Sequence, residues 1–249
     1  MALEKAQFEG AEQKERKERV PKKAKTKRTK QSQEITENLS NYGINKALIF
    51  IATHVAEKEI KPKPSSFKEL YEKNPALVLI IKGVAEYFGI PAAVLFATFH
   101  HESGFKHKEK GDLTYHGGPS VGIGQFQEGT WSDLNTKKKP EFKEFRKFMN
   151  KFYPGKKFER GDNLLADIAA SAALIKKHGG TRIDWEKPAP HRILRARALY
   201  TGDRDYHKQM LIFLGKQKGK VKTQYPKFLK TYEMYNKGWE EHQGLAMAD

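Results

Sequence analysis

Residues 100–105 (His-His-Glu-Ser-Gly-Phe) place an acid at the end of an apolar helical pattern. Leu95, Phe99 and Glu102 recur at i, i+4 and i+7, so Glu102 belongs to the stripe that faces the core of a helix. A carboxylate on such a stripe loses hydration, which disfavours its charged form and favours the protonated form that a general acid needs. The pattern therefore predicts that Glu102 is a catalytic acid.

A glycine-rich stretch follows at residues 117–127 (Gly-Gly-Pro-Ser-Val-Gly-Ile-Gly-Gln-Phe-Gln). Glycines allow tight turns and let a backbone approach a bulky ligand closely. Gln125 and Gln127 alternate with Phe126, as in a strand edge that presents its amides to one side. We expect loops with short strands at residues 113–116 and 121–126, and amides beside an acid suit a sugar.

Three other chemistries are each excluded by the sequence around this segment. A helical pair of zinc ligands that begins at His101 requires a second histidine where Phe105 stands. The glycine cluster lacks the Gly-Lys-Ser/Thr ending of a phosphate-binding loop, and no Gly-x-Ser-x-Gly surrounds Ser103 or Ser120. We therefore predict a carboxylate mechanism without a metal or another cofactor.

A second carboxylate is the usual companion of the acid in a glycosidase. Glu109, Asp112 and Glu128 all lie in or beside the loop region, and the spacing does not choose among them. All three are candidates at this stage.

The composition points to a polyanionic partner. The chain of 249 residues has 47 Lys and Arg against 30 Asp and Glu, a formal charge of +17, which favours nucleic acid, anionic lipid or an acidic cell-wall polymer. It contains no cysteine, which excludes disulfides and thiolate metal sites. No apolar run reaches membrane-spanning length, and the first ten residues lack the apolar core of a secretory signal.

The hydrophobic periods predict a mainly α fold with four segments. Residues 1–40 are polar and form a disordered basic arm that could bind nucleic acid or other proteins of a particle. Residues 41–74 form a helical extension with a Pro-Lys linker, residues 75–215 the catalytic domain, and residues 216–249 a basic C-terminal helical extension. Within the catalytic domain, Asp162 is the expected N-cap of a long helix.

Four short pieces, in order, resemble motifs of lytic transglycosylases and goose-type lysozymes, the family 23 glycoside hydrolases. Residues 102–105 resemble the Glu-Ser-x-Phe signature, and residues 122–126 resemble a Gly-Leu-Met-Gln element. Residues 162–179 are similar to an Asp-x-x-x-Asn-Ile helix, and residues 198–202 resemble Ala-Ala-Tyr-Asn-Ala-Gly. The resemblance covers roughly residues 75–215, and the order and spacing of the pieces carry it.

The resemblance implies a lysozyme-like catalytic domain with a small β and loop region, and cleavage of the β-1,4 bond between N-acetylmuramic acid and N-acetylglucosamine in peptidoglycan. Glu102 would protonate the leaving oxygen and then act as base on the muramyl 6-hydroxyl, which gives a 1,6-anhydro product. The expected substrate-binding residues at matching positions are Ser103, Gly122, Gln125 and Tyr200.

Departures from the family motifs keep two alternatives open. Thr201 replaces the family asparagine, and Gly124 replaces the methionine. Asp112 stands where goose-type enzymes place an acid that positions water, so a muramidase that hydrolyses the same bond is one alternative. An inactive structural or nucleic-acid-binding virion protein with a lysozyme-like fold is the other. Without a secretory signal, we expect synthesis in the cytoplasm and action at the cell wall, from a bacteriophage virion or after release by a holin.

Overall fold

Helices make up the regular structure of the part of the chain that the computed structural model describes, residues 42–58, 63–111, 118–179 and 189–246. The ten α-helices there are α1 (Lys46–Lys58), α2 (Phe67–Lys73), α3 (Pro75–Phe88), α4 (Ala92–Glu102), α5 (Glu128–Asn135), α6 (Lys143–Phe152), α7 (Leu164–Gly179), α8 (Pro190–Tyr200), α9 (Tyr206–Phe213) and α10 (Gln224–Ala246). A 3-10 turn, Pro140–Phe142, precedes α6. The predicted mainly α class is confirmed.

Helix α3 runs through the core and has the ends that its sequence predicts. The Asn74 side chain accepts a hydrogen bond from the Leu77 backbone N–H (3.0 Å), and Pro75 occupies the first turn, where its missing N–H costs nothing. Gly89 ends the helix in the left-handed conformation, with φ of +65°. The Asn74 amide also donates to the Ala52 carbonyl (3.0 Å), which ties α1 to α3 inside the core.

Helix α4 is buried as far as Phe99 and carries Glu102 at its last residue. The backbone N–H groups of Ser103 and Phe105 both donate to the Phe99 carbonyl (3.1 and 3.3 Å), and Gly104 has φ of +62°. This closed turn ends the helix and buries Phe105 completely. Glu102 is therefore held at the point where the core meets the surface.

The helices outside the expected catalytic domain pack against its core. Helix α1 packs on α3, and α10 lies along α4 with Tyr225, Phe228 and Tyr235 buried. Residues from Tyr42 onward form one compact unit. The described residues on both sides of the expected boundaries at residues 74 and 215 therefore belong to the same folded unit.

The segment 121–126, which we predicted to be a strand, is a tight turn. Val121 and Phe126 exchange two backbone hydrogen bonds (3.0 and 2.9 Å) as an isolated bridge, so the chain reverses between them. Gly122 and Gln125 have φ of +87° and +53°, which an extended strand does not allow. The strand prediction is wrong because the glycines make a reversal possible here.

Asn163, and not Asp162, caps helix α7. The Asn163 side chain accepts a hydrogen bond from the Ala166 backbone N–H at 2.9 Å, and the helix begins at Leu164. The expected basic arm at residues 1–40 and the expected strand at residues 113–116 lie outside the described residues. Among the described helices, none combines the length and the apolar composition that crossing a bilayer requires.

Candidate active site

Glu102 opens into a cleft of about 690 Å³. Its side chain retains 16% of its exposure, so one part of the carboxyl group faces the cleft and the rest faces protein. The cleft is bounded by the loop at residues 120–127, the first turns of α5, the C-terminal turn of α7 and the end of α8. Its polar lining comprises Glu102, Ser120, Gln125, Gln127, Thr130, Asp133, Lys177, His178, Tyr200 and Thr201.

Arg197 of α8 forms an ion pair with Glu102. Its guanidinium donates a hydrogen bond to the Glu102 carboxylate, and the Arg197 side chain is only 15% exposed. The guanidinium also lies over the rings of Tyr200 (5.9 Å) and Phe228 (5.2 Å). The sequence did not identify this partner, which lies 95 residues further along the chain.

Tyr200 joins α8 to the glycine loop. Its buried hydroxyl donates to the Gly124 carbonyl (2.7 Å) and lies 3.1 Å from the Ser171 hydroxyl, and burial raises the pKa of the phenol. A Cβ at position 124 would overlap the Ser171 hydroxyl and crowd the Tyr200 hydroxyl. Glycine at position 124, where the family motif has methionine, is therefore required by the neighbours that Tyr200 and Ser171 provide.

The Gln125 side chain braces the loop that it belongs to. Its amide nitrogen donates to the carbonyls of Glu109 (3.0 Å) and Gly122 (2.8 Å), and its amide oxygen accepts from the Ser120 hydroxyl (2.8 Å). These bonds hold Gln125 in its left-handed backbone conformation. Gln125 lines the cleft, but most of its hydrogen-bonding capacity is used inside the protein.

Ser103 and Gly122 lie behind the cleft wall and build it. The buried Ser103 hydroxyl donates to the Ile123 carbonyl at 2.9 Å, which fastens the loop to the end of α4. A Cβ at Gly122 would overlap the Asp167 carboxylate, so a glycine is needed there. Of the four expected substrate-binding residues, Gln125 and Tyr200 line the cleft with Glu102, whereas these two support the loop.

A buried acid and imidazole pair supports the underside of the loop. His107 and Asp167 are both fully buried, with 3.6 Å between the imidazole Nδ1 and the carboxyl Oδ2. Burial lowers the pKa of His107 to about 4 and raises the pKa of Asp167 well above its usual value. The other Asp167 oxygen accepts from the Gly161 backbone N–H at 3.1 Å, which links the turn before α7 to the loop.

The structure adds a second carboxylate to the cleft that the sequence did not single out. Asp133 of α5 is about half exposed, lines the cleft and lies 3.7 Å from the Lys139 ammonium. Glu109 and Glu128 do not line the cleft, since each is paired outside it, with a lysine (3.2 Å) and an arginine (3.1 Å) respectively. Asp112 lies outside the described residues. The sequence alone did not identify Asp133, because its place in the cleft depends on α5 forming one of the walls.

Two basic residues of α7 complete the far side of the cleft. Burial lowers the pKa of His178 to about 4, so its imidazole is neutral at neutral pH. Lys177 is tied to Glu141 (3.5 Å) and lies over the Phe142 ring (4.6 Å). Within the described ranges, no group of three or more acidic, histidine or cysteine side chains is arranged to hold a metal ion.

No family model, curated protein or solved structure matches the chain. What the site can do therefore follows from its own residues. It combines one carboxylic acid at the end of a buried helix, a guanidinium beside that acid, and a cleft lined by amides and hydroxyls.

Proposed function

We propose that the protein cleaves the glycan strands of peptidoglycan as a lytic transglycosylase, with Glu102 as the single general acid and base. The observation that carries the proposal is the position of Glu102, at a buried helix end inside a cleft of about 690 Å³ lined by hydroxyl and amide groups. A cleft of this size takes an extended oligosaccharide, and its polar lining suits sugar hydroxyl and acetamido groups. The ordered resemblance over residues 75–215 narrows the substrate to the β-1,4 bond between N-acetylmuramic acid and N-acetylglucosamine.

The reaction needs one proton that leaves Glu102 and returns to it. The protonated carboxyl group gives its proton to the glycosidic oxygen as the bond to the muramyl C1 breaks, which leaves an oxocarbenium-like centre. The carboxylate then takes the proton of the muramyl 6-hydroxyl while that oxygen bonds to C1. The products are a new sugar hydroxyl and a 1,6-anhydro end, and no water is consumed.

Arg197 fits the second half of this cycle better than the first. A guanidinium beside Glu102 stabilises the carboxylate that forms when the proton leaves. Before the first step the carboxyl group must be protonated, so the Arg197 contact has to loosen as the glycan enters. Because Arg197 is also stacked over two aromatic rings, it retains partners when it moves off Glu102.

Gln127 and Thr130 are the best-placed residues for binding the sugar. Both line the cleft, and neither side chain hydrogen-bonds another described residue. They can therefore bond the acetamido and hydroxyl groups of a glycan without breaking a protein contact. In this proposal Gln127 takes the part that the resemblance assigned to Gln125.

The overall charge supports a place of action at an anionic wall. With +17 on 249 residues, the chain is attracted to acidic wall polymers and to nucleic acid. This suits the proposed role in a bacteriophage virion or as a lysis enzyme.

Hydrolysis of the same bond is the second candidate, and Asp133 favours it. A second carboxylate in the same cleft could position a water molecule for attack on C1. The product would then carry a reducing end. The part foreseen for Asp112 in such a reaction stays a prediction.

The deciding experiment compares the purified protein with Glu102→Gln on isolated peptidoglycan, followed by mass spectrometry of the released muropeptides. We expect the variant to be slower by a factor of about 1,000, because amide nitrogen cannot supply the proton. Glu109→Gln, the same substitution outside the cleft, should keep its activity. If the wild-type protein releases no more fragments than Glu102→Gln, the chain is not this enzyme. Anhydro ends, lighter by one water than reducing ends, would identify the transglycosylase.

A further inference from the structure

Two large apolar side chains of α9 and its cap face solvent. Leu211 is 43% exposed and Leu214 is 44% exposed, although their neighbour Gln209 is buried. They lie three residues apart, which places them on the same side of the helix end. Exposed leucines in adjacent positions mark a surface that another apolar phase can cover.

The segment that follows α9 folds back onto it. The backbone N–H groups of Lys216 and Gln217 donate to the Leu211 carbonyl (2.8 and 3.2 Å). The Lys222 N–H donates to the Gln209 side chain at 2.7 Å, and Gly219 packs so closely on Ile212 that a Cβ there would approach it to 2.9 Å. The backbone that carries the lysines of this segment is therefore held against α9.

These lysines have no acidic partner. The segment and α9 together expose four lysines that make no ion pair with any described residue, namely Lys208, Lys216, Lys218 and Lys220. The nearby acids Asp203 and Asp205 share the ammonium of Lys222 (2.9 and 3.3 Å), which offsets one of their two charges. We call these four lysines with Leu211 and Leu214 the α9 patch.

We propose that the α9 patch docks the protein onto the surface of an anionic lipid bilayer. The leucines would enter the boundary between headgroups and acyl chains, and the lysines would contact the phosphates around them. A nucleic-acid backbone would pair with the lysines but would leave both leucines in water. An apolar protein groove would cover the leucines but would leave the lysines without an anionic partner. An anionic lipid surface matches both halves of the patch, and the inference does not depend on the reaction that the cleft performs.

The test is co-sedimentation of the full chain with vesicles of mixed phosphatidylcholine and phosphatidylglycerol, with pure phosphatidylcholine as the neutral comparison. Replacing both leucines, Leu211→Gln with Leu214→Gln, should weaken binding by about tenfold because their partly exposed surface no longer leaves water. Replacing Lys216, Lys218 and Lys220 by Gln should weaken it by about fivefold per lysine at low salt. The lysine change should leave the weaker binding to neutral vesicles unaltered, because only anionic lipid attracts the lysines. Neither change should alter the helix content measured by circular dichroism.

Matched controls separate the patch from the general charge of the chain. The apolar control is Phe50→Gln with Ile51→Gln on α1, where both side chains are exposed. The charge control replaces Lys143, Lys147 and Lys156, which are exposed and make no ion pair with a described residue. Each control variant should lose less than about a third of the affinity for anionic vesicles that the matching patch variant loses.

Two results would overturn the proposal. In the first, the double leucine variant binds vesicles as well as the wild type, and the lysine variant loses affinity for both vesicles and duplex DNA. The patch would then be a nucleic-acid site. The other is an equal loss of vesicle binding in the charge control at Lys143, Lys147 and Lys156. That result would make the attraction a property of the whole surface. Loss of vesicle binding in the leucine variant with DNA binding intact is the result that supports it.

Discussion

The Arg197 guanidinium is hydrogen-bonded to the Glu102 carboxylate, although the two residues lie on different helices. The contact joins α4 to α8 at the point where the proposed reaction needs a proton to move. It makes Arg197 a positioning residue for the proposed acid, a role that a lysine at the same position should largely restore.

Arg197→Gln should slow peptidoglycan cleavage by about 100-fold, because the guanidinium that stabilises the Glu102 carboxylate formed in the proposed reaction is lost. The measurement is the initial rate of fragment release from isolated peptidoglycan. Arg197→Lys keeps the charge and should lose much less of the rate. An Arg197→Gln variant as fast as the wild type would contradict the role assigned to this contact.

The sequence predicted the acid but not its partner, for a physical reason. Periodicity reports which residues share a helix face, so it found Glu102 on the inner stripe of α4. The contact with Arg197 spans 95 residues and depends on how α8 packs, which local periodicity does not contain. Asp133 was missed in the same way, because its place in the cleft follows from where α5 lies.

The ends of helices were predicted well where one residue decides them. Asn74 and Gly89 define α3 through a side-chain cap and a left-handed turn, both of which are local. The strand prediction for residues 121–126 was wrong because the glycines permit a reversal and side-chain bonds stabilise it. The Gln125 amide nitrogen donates to the Glu109 carbonyl, and its amide oxygen accepts from the Ser120 hydroxyl. Alternating polarity could not reveal those bonds.

Asp133→Asn separates the two proposed outcomes of cleavage. In a transglycosylase the substitution should change the rate by less than about tenfold and leave anhydro products, because no carboxylate besides Glu102 is needed. In a hydrolase it should reduce the rate by about 100-fold or more, since activation of water is lost. Mass spectrometry of the muropeptides gives the product, and initial rates of fragment release give the loss. Asp205→Asn, an acid outside the cleft, serves as the control.

Tyr200→Phe should destabilise the fold by about 1–3 kcal/mol, because it leaves the buried Gly124 carbonyl without its donor. Activity should also fall, since the loop that carries Gly124 forms one wall of the cleft. Chemical denaturation followed by circular dichroism measures the loss of stability. Tyr206→Phe removes a hydroxyl that bonds no other described residue and should cost less than about 0.5 kcal/mol. Equal stability of the two variants would contradict the bracing role of Tyr200.

The stability of the fold should decrease as the pH falls from 6.5 toward 4. Burial lowers the pKa of His100 to about 3 and those of His101, His107 and His178 to about 4, from an ordinary 6.5. Below pH 6.5 the unfolded chain therefore binds protons that the folded chain refuses, so stability present above pH 6.5 is lost on acidification. Asp167 acts in the opposite direction, because its raised pKa lets the folded chain keep a proton that the unfolded chain releases.

The net effect is an uptake of about three protons on unfolding in this interval, or about 4 kcal/mol per pH unit at its steepest. Urea denaturation at a series of pH values measures the slope. His101→Gln should reduce the slope by about one proton. A free energy of unfolding that is flat between pH 6.5 and 4 would show that these imidazoles are accessible to protons in the folded chain.

Helix α10 holds the neighbours of Glu102 from the far end of the chain. The His100 ring nitrogen lies 3.1 Å from the Tyr235 hydroxyl, the His101 ring nitrogen lies 3.0 Å from the Thr231 hydroxyl, and Arg197 stacks on Phe228. These partners are translated 130 and 135 residues after the histidines. A chain emerging from the ribosome folds its earlier helices first, so the surroundings of the carboxylate stay unfinished until α10 has been synthesised and docked.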